Sequence, residues 1–204
     1  MAGLDPARVR ANLERVWQKI GDEVEICAAV KYVEADDLPV LADAGIALVG
    51  ENRAQDLIAK QDAHGDLFEW DFIGALQSRK VKDVAPRVRL IHSVASESAL
   101  RRLGEHPSAE VLVQVNIAED AAKEGIAPAE LGDFIARCPV TVTGLMTMPP
   151  FAEDPEASRP HFARLAELAA EYGLRRLSMG TTQDYEVAVQ EGATIVRLGS
   201  VLYA

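Results

Sequence analysis

Short apolar segments alternate with amphipathic helical segments along the whole chain, and this alternation constrains the fold more than any other feature. Each apolar segment is rich in Val, Ile or Leu and is bounded by Gly, Pro or polar residues, which is typical of a buried strand. We predict strands at 24–31, 46–49, 70–73, 90–94, 111–117, 140–148, 177–179 and 194–198. Strands that alternate with helices form right-handed crossovers and a parallel sheet. Eight of them predict an α/β fold of the closed (β/α)8 TIM-barrel type, with an open doubly wound sheet as the alternative.

An extra helix opens the chain before the first strand. Asp5 is suited to cap its N-terminus and Pro6 to occupy its first position, and Gly21 ends it. Further helices are predicted at 35–44, 54–63, 78–85, 96–104, 128–136, 162–172 and 184–190. No helix is predicted after the eighth strand, so we expect the N-terminal helix to take its place. We treat the 204 residues as a single domain, which needs tight loops because a typical barrel has about 250 residues.

Lys31 stands at the predicted carboxyl end of the first strand. Successive strand side chains alternate between the two faces, so Lys31 shares a face with Ala29 and Cys27, whose side chains are small. A lysine with room around its amine, and partly removed from water, is suited to act as a nucleophile. On this stretch alone, a lysine that reaches water or pairs with a carboxylate is the simpler explanation.

Two loops in the last part of the chain have the composition of an anion site. The first, 178–182, supplies a glycine and three hydroxyl groups and leads to a helix that starts at Asp184. The second is the Gly199-Ser200 turn after the eighth strand. Loops after strands 7 and 8 of such barrels often bind phosphate, through backbone N–H groups and helix N-termini. Taken singly, each loop is also explained by helix capping and by relief of crowding at a turn.

Barrel closure would make strands 1 and 8 neighbours and would place Lys31 beside both loops. A ligand that carries a phosphate and an aldehyde fits this combination, because an aldehyde forms a Schiff base with a lysine amine. Pyridoxal 5′-phosphate has both groups. Arg197, near the end of strand 8, is placed to reach the pyridine ring, and a guanidinium that keeps its proton would leave the ring nitrogen unprotonated. Without the lysine, an ion pair would explain Arg197 equally well.

Seven segments, spread over nearly the whole chain, resemble the family of pyridoxal phosphate homeostasis proteins, the YggS/PROSC type, which is related to the N-terminal barrel of alanine racemase. The segments are AAVK (28–31), VGEN (49–52), FIGALQSRK (72–80), VQVNI (113–117), GLMTM (144–148), LSMG (177–180) and VRLGS (196–200). Several ordered matches of this length are far more specific than a single glycine motif. The resemblance implies a barrel that stores pyridoxal 5′-phosphate or hands it on to apo-enzymes, and not a dedicated catalyst.

The resemblance also implies the cofactor-binding residues. Lys31 would hold the cofactor as an aldimine, Arg197 would face the pyridine nitrogen, and Asn52 would line the pocket. The residues implied around the phosphate are Ser178, Gly180, Thr182, Gly199 and Ser200.

Two positions depart from the pattern of the family. Asp71 stands where many members have a histidine, within the segment WDFIG (70–74), and Thr181-Thr182 replaces a more usual Met-Ser pair. The second change keeps a hydroxyl at Thr182. The first puts in doubt any role that depends on a histidine at this position, but it does not affect the expected cofactor binding.

Two enzymatic functions are the alternatives. The resemblance implies that an alanine racemase-like enzyme would share the lysine and the phosphate loops but would take its second base, a tyrosine, from a separate C-terminal domain. The sequence ends at Ala204, so we expect that domain and efficient racemisation to be absent, with Tyr32 and Tyr185 as conceivable substitutes. A cofactor-free Schiff-base aldolase would need a proton-relay partner near Lys31, and the sequence offers none that stands out.

Charge and composition argue against several other functions. The net charge is −11 and no block of Lys or Arg stands out, which argues against binding to nucleic acid or to anionic membranes. No segment is long and apolar enough to span a bilayer, so we expect a cytoplasmic protein. The four histidines show no metal-ligand spacing, and Cys27 and Cys138 are predicted to be free thiols. Without a second domain, we expect a monomer.

Overall fold

A closed barrel of parallel strands forms the centre of the molecule. The structure, a computed structural model, describes residues 4–120 and 123–204, and within them eight strands follow one another around the barrel in chain order. The strands are β1 (Glu25–Ala29), β2 (Leu48–Glu51), β3 (Glu69–Phe72), β4 (Leu90–Val94), β5 (Glu110–Gln114), β6 (Thr141–Met146), β7 (Arg176–Thr181) and β8 (Ile195–Leu198). The barrel closes where β1 pairs with β8, with Cys27 opposite Arg197. The predicted (β/α)8 barrel is therefore confirmed, and the open sheet is excluded.

Helices cover the outside of the barrel. In the described ranges they are α1 (Pro6–Ile20), α2 (Leu38–Asp43), α3 (Ala54–His64), α4 (Val81–Val84), α5 (Glu97–Leu103), α6 (Leu131–Ala136), α7 (Arg159–Glu171), α8 (Tyr185–Gln190) and α9 (Ser200–Tyr203). Turns of 3₁₀ helix precede α2, α4 and α6, so these helices begin about three residues later than the sequence predicts. The short α9 follows β8, where the sequence predicts no helix.

The N-terminal helix packs against the end of the chain, as the sequence predicts. Asp5 caps α1 by accepting a hydrogen bond from the Ala7 N–H (3.0 Å). The buried side chain of Asn12 donates hydrogen bonds to the carbonyl groups of Leu202 and Ala204, both at 3.0 Å. The helix that follows β8 has only four residues, so α1 supplies most of the cover on this side of the barrel.

Replacing Asn12 with alanine is expected to lower the free energy of unfolding by about 1–3 kcal/mol, because the α9 carbonyl groups lose a donor inside the protein. Urea denaturation followed by circular dichroism measures this loss. Gln18→Ala, on the exposed face of the same helix, is the matched control, and its effect is expected to stay within about 0.5 kcal/mol. Equal losses in the two variants would contradict this role of Asn12.

The strand side chains divide between two apolar cores. Inside the barrel, the buried residues Cys27, Leu48, Leu90, Leu112, Met146 and Ile195 pack together. The larger core lies between the strands and the helices and includes Ala28 and Val30 from the first strand segment. The predicted alternation of faces is therefore confirmed for Cys27, Ala28 and Val30. Cys27 and Cys138 are free thiols, as predicted, and burial raises the pKa of Cys27 well above its ordinary value.

Several strands end at other residues than the sequence predicts, and these ends decide the geometry of the barrel mouth. β1 ends at Ala29, two residues before Lys31. β5 ends at Gln114, because the next residues pair with a returning segment instead and the Asn116 N–H donates to the Ile126 carbonyl (3.0 Å). β7 continues to Thr181, two residues beyond its predicted end. The early end of β1 leaves Lys31, a predicted site residue, outside the barrel wall.

Candidate functional site

Lys31 lies at the mouth of the barrel, on the turn that follows β1. The Val30 N–H still donates to the Gly50 carbonyl (3.0 Å), and the chain then turns at Lys31 and Tyr32. The Lys31 side chain is exposed, and its Nζ lies 4.7 Å from the centroid of the Tyr32 ring, which is itself 73% exposed. The expected partly desolvated amine is not found, because β1 ends before Lys31 and the turn carries the side chain out of the barrel wall.

A buried ion pair supports the chain just before Lys31. The Lys60 ammonium lies 2.6 Å from Glu51 Oε2 and donates a second hydrogen bond to the Val30 carbonyl, also at 2.6 Å. Glu51 Oε1 accepts a hydrogen bond from the Asn52 N–H (2.6 Å). The pair therefore fixes the ends of β1 and β2 relative to α3. Sequence analysis missed it, because a lysine on a helix nine residues after a glutamate resembles any solvated helix position.

Asn52 follows β2 and turns a polar atom towards the interior. Its side-chain carbonyl oxygen is buried and accepts no hydrogen bond from any described residue. A buried acceptor without a donor is costly, so such an atom marks a place where a ligand or a water molecule would donate. Asn52 lines a cavity of about 220 Å³ together with Phe72 and Lys80, and not the cavity that Gly180 and Arg197 line, so its predicted place beside the cofactor stays a prediction.

The last part of β7 contains a glycine that no other residue could replace without strain. Gly180 has φ of 90°, and a Cβ atom at this position would lie 2.6 Å from the Cβ of Ala188 on α8. Next in the chain, the Thr181 N–H and hydroxyl both bond to Asp184 Oδ1, at 2.8 and 3.1 Å. The second oxygen of Asp184 accepts a hydrogen bond from the Ser158 hydroxyl (2.8 Å). Both Asp184 oxygens are thus used in shaping the loop.

The two predicted anion loops meet through Thr182. Its hydroxyl oxygen accepts the N–H groups of Gly199 (3.3 Å) and Val201 (3.5 Å), so two backbone donors converge on one oxygen atom. Both distances are long for such bonds, and an anionic oxygen would be a better acceptor than a hydroxyl. Ser200 lies exposed between these donors, at the start of α9. The structure therefore brings Thr182, Gly199 and Ser200 together, as predicted.

A cavity of about 180 Å³ opens beside these loops. Residues from the loops after β6 and β7 and from the end of β8 line it, including Gly180 and Arg197 of the predicted set. Lys123 and Phe151 also line the cavity, and sequence analysis assigned neither of them to the site. For Lys123 the available signal was its place in the loop after strand 5, at the functional end of the barrel.

Arg197 is buried at the inner end of this cavity. Its guanidinium donates hydrogen bonds to the Ser178 hydroxyl (2.6 Å) and to the Thr147 carbonyl (3.0 Å). No ion pair involves Arg197 within residues 4–120 and 123–204, so the alternative of a carboxylate partner does not hold. Burial lowers the pKa of Arg197 to about 10, which leaves the group charged at neutral pH.

Ser178 lies within β7 and directs its hydroxyl into the barrel. The residue is fully buried, and its hydroxyl bonds to Arg197 and to His92 Nδ1 (2.8 Å). The predicted strand at 177–179 already contains this residue, whereas the predicted anion loop at 178–182 would place it at the mouth. The Ser178 hydroxyl is engaged inside the barrel, and its place around a phosphate stays a prediction.

Asp71 and His92 extend the buried hydrogen bonds of Arg197 and Ser178. His92 Nε2 lies 3.0 Å from Asp71 Oδ2, and Arg89 donates to both Asp71 oxygens, at 3.1 and 2.8 Å. Burial alone raises the pKa of Asp71, but the hydrogen bonds from His92 and Arg89 outweigh it and lower the pKa overall. Burial lowers the pKa of His92 in spite of the neighbouring carboxylate. Asp71 is therefore ionised and His92 is neutral near pH 7.

The part of the chain that the structure describes holds neither a metal-binding cluster nor a membrane-spanning helix. Its His, Cys, Asp and Glu side chains form no group of three that could hold a metal ion. Its helices are all too short or too polar to cross a membrane.

Comparison with known proteins gives matches over nearly the whole chain. The alanine racemase N-terminal domain family matches residues 4–204. A pyridoxal phosphate homeostasis protein of Aquifex aeolicus is 38% identical, with 97% of this chain and 95% of the relative covered. The protein of the same name from Pseudomonas aeruginosa is 34% identical, with 97% and 92% covered.

A solved structure agrees with these sequence matches. PipY of Synechococcus elongatus PCC7942, solved with PLP bound, superposes with a TM-score of 0.85 at 31% identity, with 96% of this chain and all of that chain covered. Each of these three matches covers at least 92% of both chains compared. This chain belongs to the pyridoxal phosphate homeostasis protein family, whose barrel is the alanine racemase N-terminal domain.

Proposed function

We propose that the chain binds pyridoxal 5′-phosphate through a Schiff base on Lys31 and acts as a carrier that stores the cofactor and transfers it to apo-enzymes. The observation that carries the proposal is the environment of Arg197, a buried guanidinium without a carboxylate partner beside two loops rich in N–H groups. A buried cation is costly unless acceptors or an anion balance it. A ligand with a phosphate and a ring nitrogen supplies an anion for the two loops and an acceptor for the guanidinium. The relatives named for pyridoxal phosphate homeostasis, and PipY with its bound PLP, support the same ligand.

The phosphate would be held where the loops after β7 and β8 meet. There the N–H groups of Gly199 and Val201 converge on the Thr182 hydroxyl, and Gly180 lets the backbone approach closely. Ser200 adds a hydroxyl at the start of α9. Backbone donors of this kind favour an anion, even in a chain with net charge −11.

The surroundings of the ring favour holding the cofactor over catalysis. When bound, pyridoxal 5′-phosphate supplies an aldehyde that reacts reversibly with amines and a ring that can draw in electrons. Arg197 donates and does not release its proton at neutral pH, so a ring nitrogen facing it would stay unprotonated. An unprotonated ring is a weak electron sink. Arg197 would therefore orient the cofactor while limiting its reactivity.

The two enzymatic alternatives lack support near Lys31. Tyr32 lies on the same turn as Lys31, so it is poorly placed to serve the opposite face of a ligand as a racemase requires. Tyr185 is buried on α8, where the Lys19 ammonium lies 6.0 Å from its ring centroid. An aldolase would need an acid or base beside Lys31, and none of the described carboxylates or histidines forms an ion pair with this lysine.

The proposal is tested by adding pyridoxal 5′-phosphate to the purified protein and recording its visible absorbance before and after borohydride reduction. We expect a band that borohydride abolishes, and mass spectrometry should place a pyridoxyl adduct on the peptide that contains Lys31. A protein that stays colourless and unlabelled would contradict the proposal and return the cofactor-free aldolase to consideration.

A second experiment tests transfer. The loaded protein is mixed with an apo-enzyme that depends on pyridoxal 5′-phosphate, and recovery of that enzyme's activity is compared with an equal amount of free cofactor. We expect full recovery. No recovery with a loaded protein would contradict the carrier role while leaving binding intact.

A further inference from the structure

A row of hydrogen bonds crosses the interior of the barrel from the mouth to the opposite end. We call it the interior chain, and it consists of Arg197, Ser178, His92, Asp71 and Arg89. Its successive contacts measure 2.6, 2.8 and 3.0 Å, and Arg89 closes it with two bonds of 3.1 and 2.8 Å. Ser178, His92 and Asp71 are almost completely buried. Residues from β3, β4, β7 and β8, with Arg89 just before β4, therefore form one polar path through an otherwise apolar core.

The donors and acceptors at its two ends fix which atom of each hydrogen bond in the interior chain donates. A guanidinium has only donors, so the Ser178 oxygen accepts from Arg197 and its hydroxyl proton is free to point to His92 Nδ1. His92 Nδ1 is then the acceptor, and its Nε2–H donates to Asp71 Oδ2. A doubly protonated His92 would leave the Ser178 proton without a partner. One arrangement of protons thus satisfies every member, with His92 neutral and protonated on Nε2.

Asp71 is the residue that imposes this arrangement. An ionised carboxylate only accepts hydrogen bonds, so the ring nitrogen that faces it has to carry the proton. Arg89 holds Asp71 in place through both oxygens and is itself paired with Glu25 (2.5 Å). A histidine at position 71 could donate or accept and would leave the direction open. In this protein, Asp71 and Arg89 fix the direction of these hydrogen bonds.

We propose that Asp71, held by Arg89, is a positioning residue for Arg197 and acts through the tautomer of His92 and the orientation of the Ser178 hydroxyl. With the Ser178 proton directed to His92, the serine lone pairs face Arg197 and fix one edge of the guanidinium. The other terminal nitrogen donates to the Thr147 carbonyl, and Arg197 lines the cavity at the mouth. The effect on a bound ring rests on the proposed function, whereas the tautomer of His92 is a property of the protein alone.

Nitrogen-15 NMR of the histidine rings, recorded without cofactor, tests the first step. The chain has four histidines, and His92→Gln identifies the signals of His92 by their loss. In the wild type we expect one proton, on Nε2. In Asp71→Asn the side-chain amide can donate as well as accept, so we expect a second His92 species protonated on Nδ1. A single unchanged Nε2–H species in Asp71→Asn would overturn the proposal.

The visible spectrum of the loaded protein tests the second step. We expect Asp71→Asn to shift the absorbance band of bound pyridoxal 5′-phosphate and to weaken its binding. Arg176→Gln, which removes a half-exposed ion pair with Glu110 (3.4 Å) elsewhere on the barrel, should leave both unchanged. A changed His92 tautomer with an unchanged band and affinity would overturn the link to Arg197.

Two further points keep the test decisive. If Asp71→Asn does not fold, Arg89→Lys keeps the charge but loses the two-point contact, and it should shift the His92 signals in the same direction to a smaller extent. An unshifted spectrum of that variant would also overturn the proposal. A wild-type protein that takes up no pyridoxal 5′-phosphate would contradict the proposed function, while the His92 signals would still decide the direction of the interior chain.

Discussion

Replacing Lys31 with alanine is expected to abolish the borohydride-reducible absorbance band of the protein after incubation with pyridoxal 5′-phosphate. The proposed Schiff base needs an amine at this position, and alanine removes it without touching the phosphate loops or Arg197. Because Lys31 is exposed and forms no ion pair within the described residues, the variant should keep its stability to within about 0.5 kcal/mol. Absorbance, borohydride reduction and peptide mass spectrometry measure the loss, and urea denaturation checks the fold.

Lys82→Ala is the matched control for this experiment, because Lys82 is an exposed lysine on α4, away from the cavity. It should retain the full band. Lys123 is the alternative site of the Schiff base, because it lines the cavity together with Gly180 and Arg197. A band that persists in Lys31→Ala, with the pyridoxyl adduct on Lys123, would contradict the assignment of Lys31 and move the Schiff base to the other side of the barrel mouth.

Replacing Lys60 with methionine is expected to lower the free energy of unfolding by about 3–5 kcal/mol. The change leaves the fully buried Glu51 carboxylate without its cation and removes one of the two donors to the Val30 carbonyl, which keeps the Val33 N–H. Such a loss is a large part of the total stability of an ordinary domain, about 5–15 kcal/mol. Urea denaturation at pH 7 gives the value. Since Lys60 also holds the residue before Lys31, weaker binding of pyridoxal 5′-phosphate should accompany the loss.

Two comparisons separate the buried charge from a general effect of substitution. Lys60→Met combined with Glu51→Gln should recover part of the stability, because no uncompensated charge then remains in the interior. Arg102→Gln breaks an exposed pair with Glu105 (3.0 Å) and should cost less than about 1 kcal/mol. A Lys60→Met variant that loses no more than Arg102→Gln would show that the buried pair does not stabilise the ends of β1 and β2.

Much of the site follows from the sequence once the barrel is predicted. The alternation of short strands and helices places Lys31, Gly180 and Gly199 at carboxyl ends of strands, and all of these ends meet at one face of a barrel. Thr182 and Gly199 directly follow the neighbouring strands β7 and β8, and in the structure they lie within hydrogen-bonding distance. The family resemblance adds roles for these residues, and those roles remain predictions until the cofactor experiments are done.

Strand ends were the main source of error. The periodic pattern of apolar residues indicates which face a side chain takes, but it does not locate the last residue that stays in the sheet. β1 ends earlier than predicted and leaves Lys31 exposed, whereas β7 ends later and keeps Gly180 and Thr181 in the strand. A shift of two residues thus moves a side chain between the solvent-facing mouth and the interior. Hydrogen bonds to neighbouring strands decide these ends, and they exist only in the closed barrel.

The sequence by itself determined the order of strands and helices, the closed parallel barrel, and the place of Lys31 and the two anion loops at its mouth. The tertiary structure alone decided the buried polar contacts. His92 meets Ser178 from 86 residues away, Asp71 from 21, and Ser178 meets Arg197 from 19. No local pattern marks such pairs, because each side chain fits an ordinary strand position. Asp71 and His92 lie on neighbouring strands, as do Ser178 and Arg197, and only closure of the barrel brings His92 within hydrogen-bonding distance of Ser178. The cost of burying such groups alone requires that they pair.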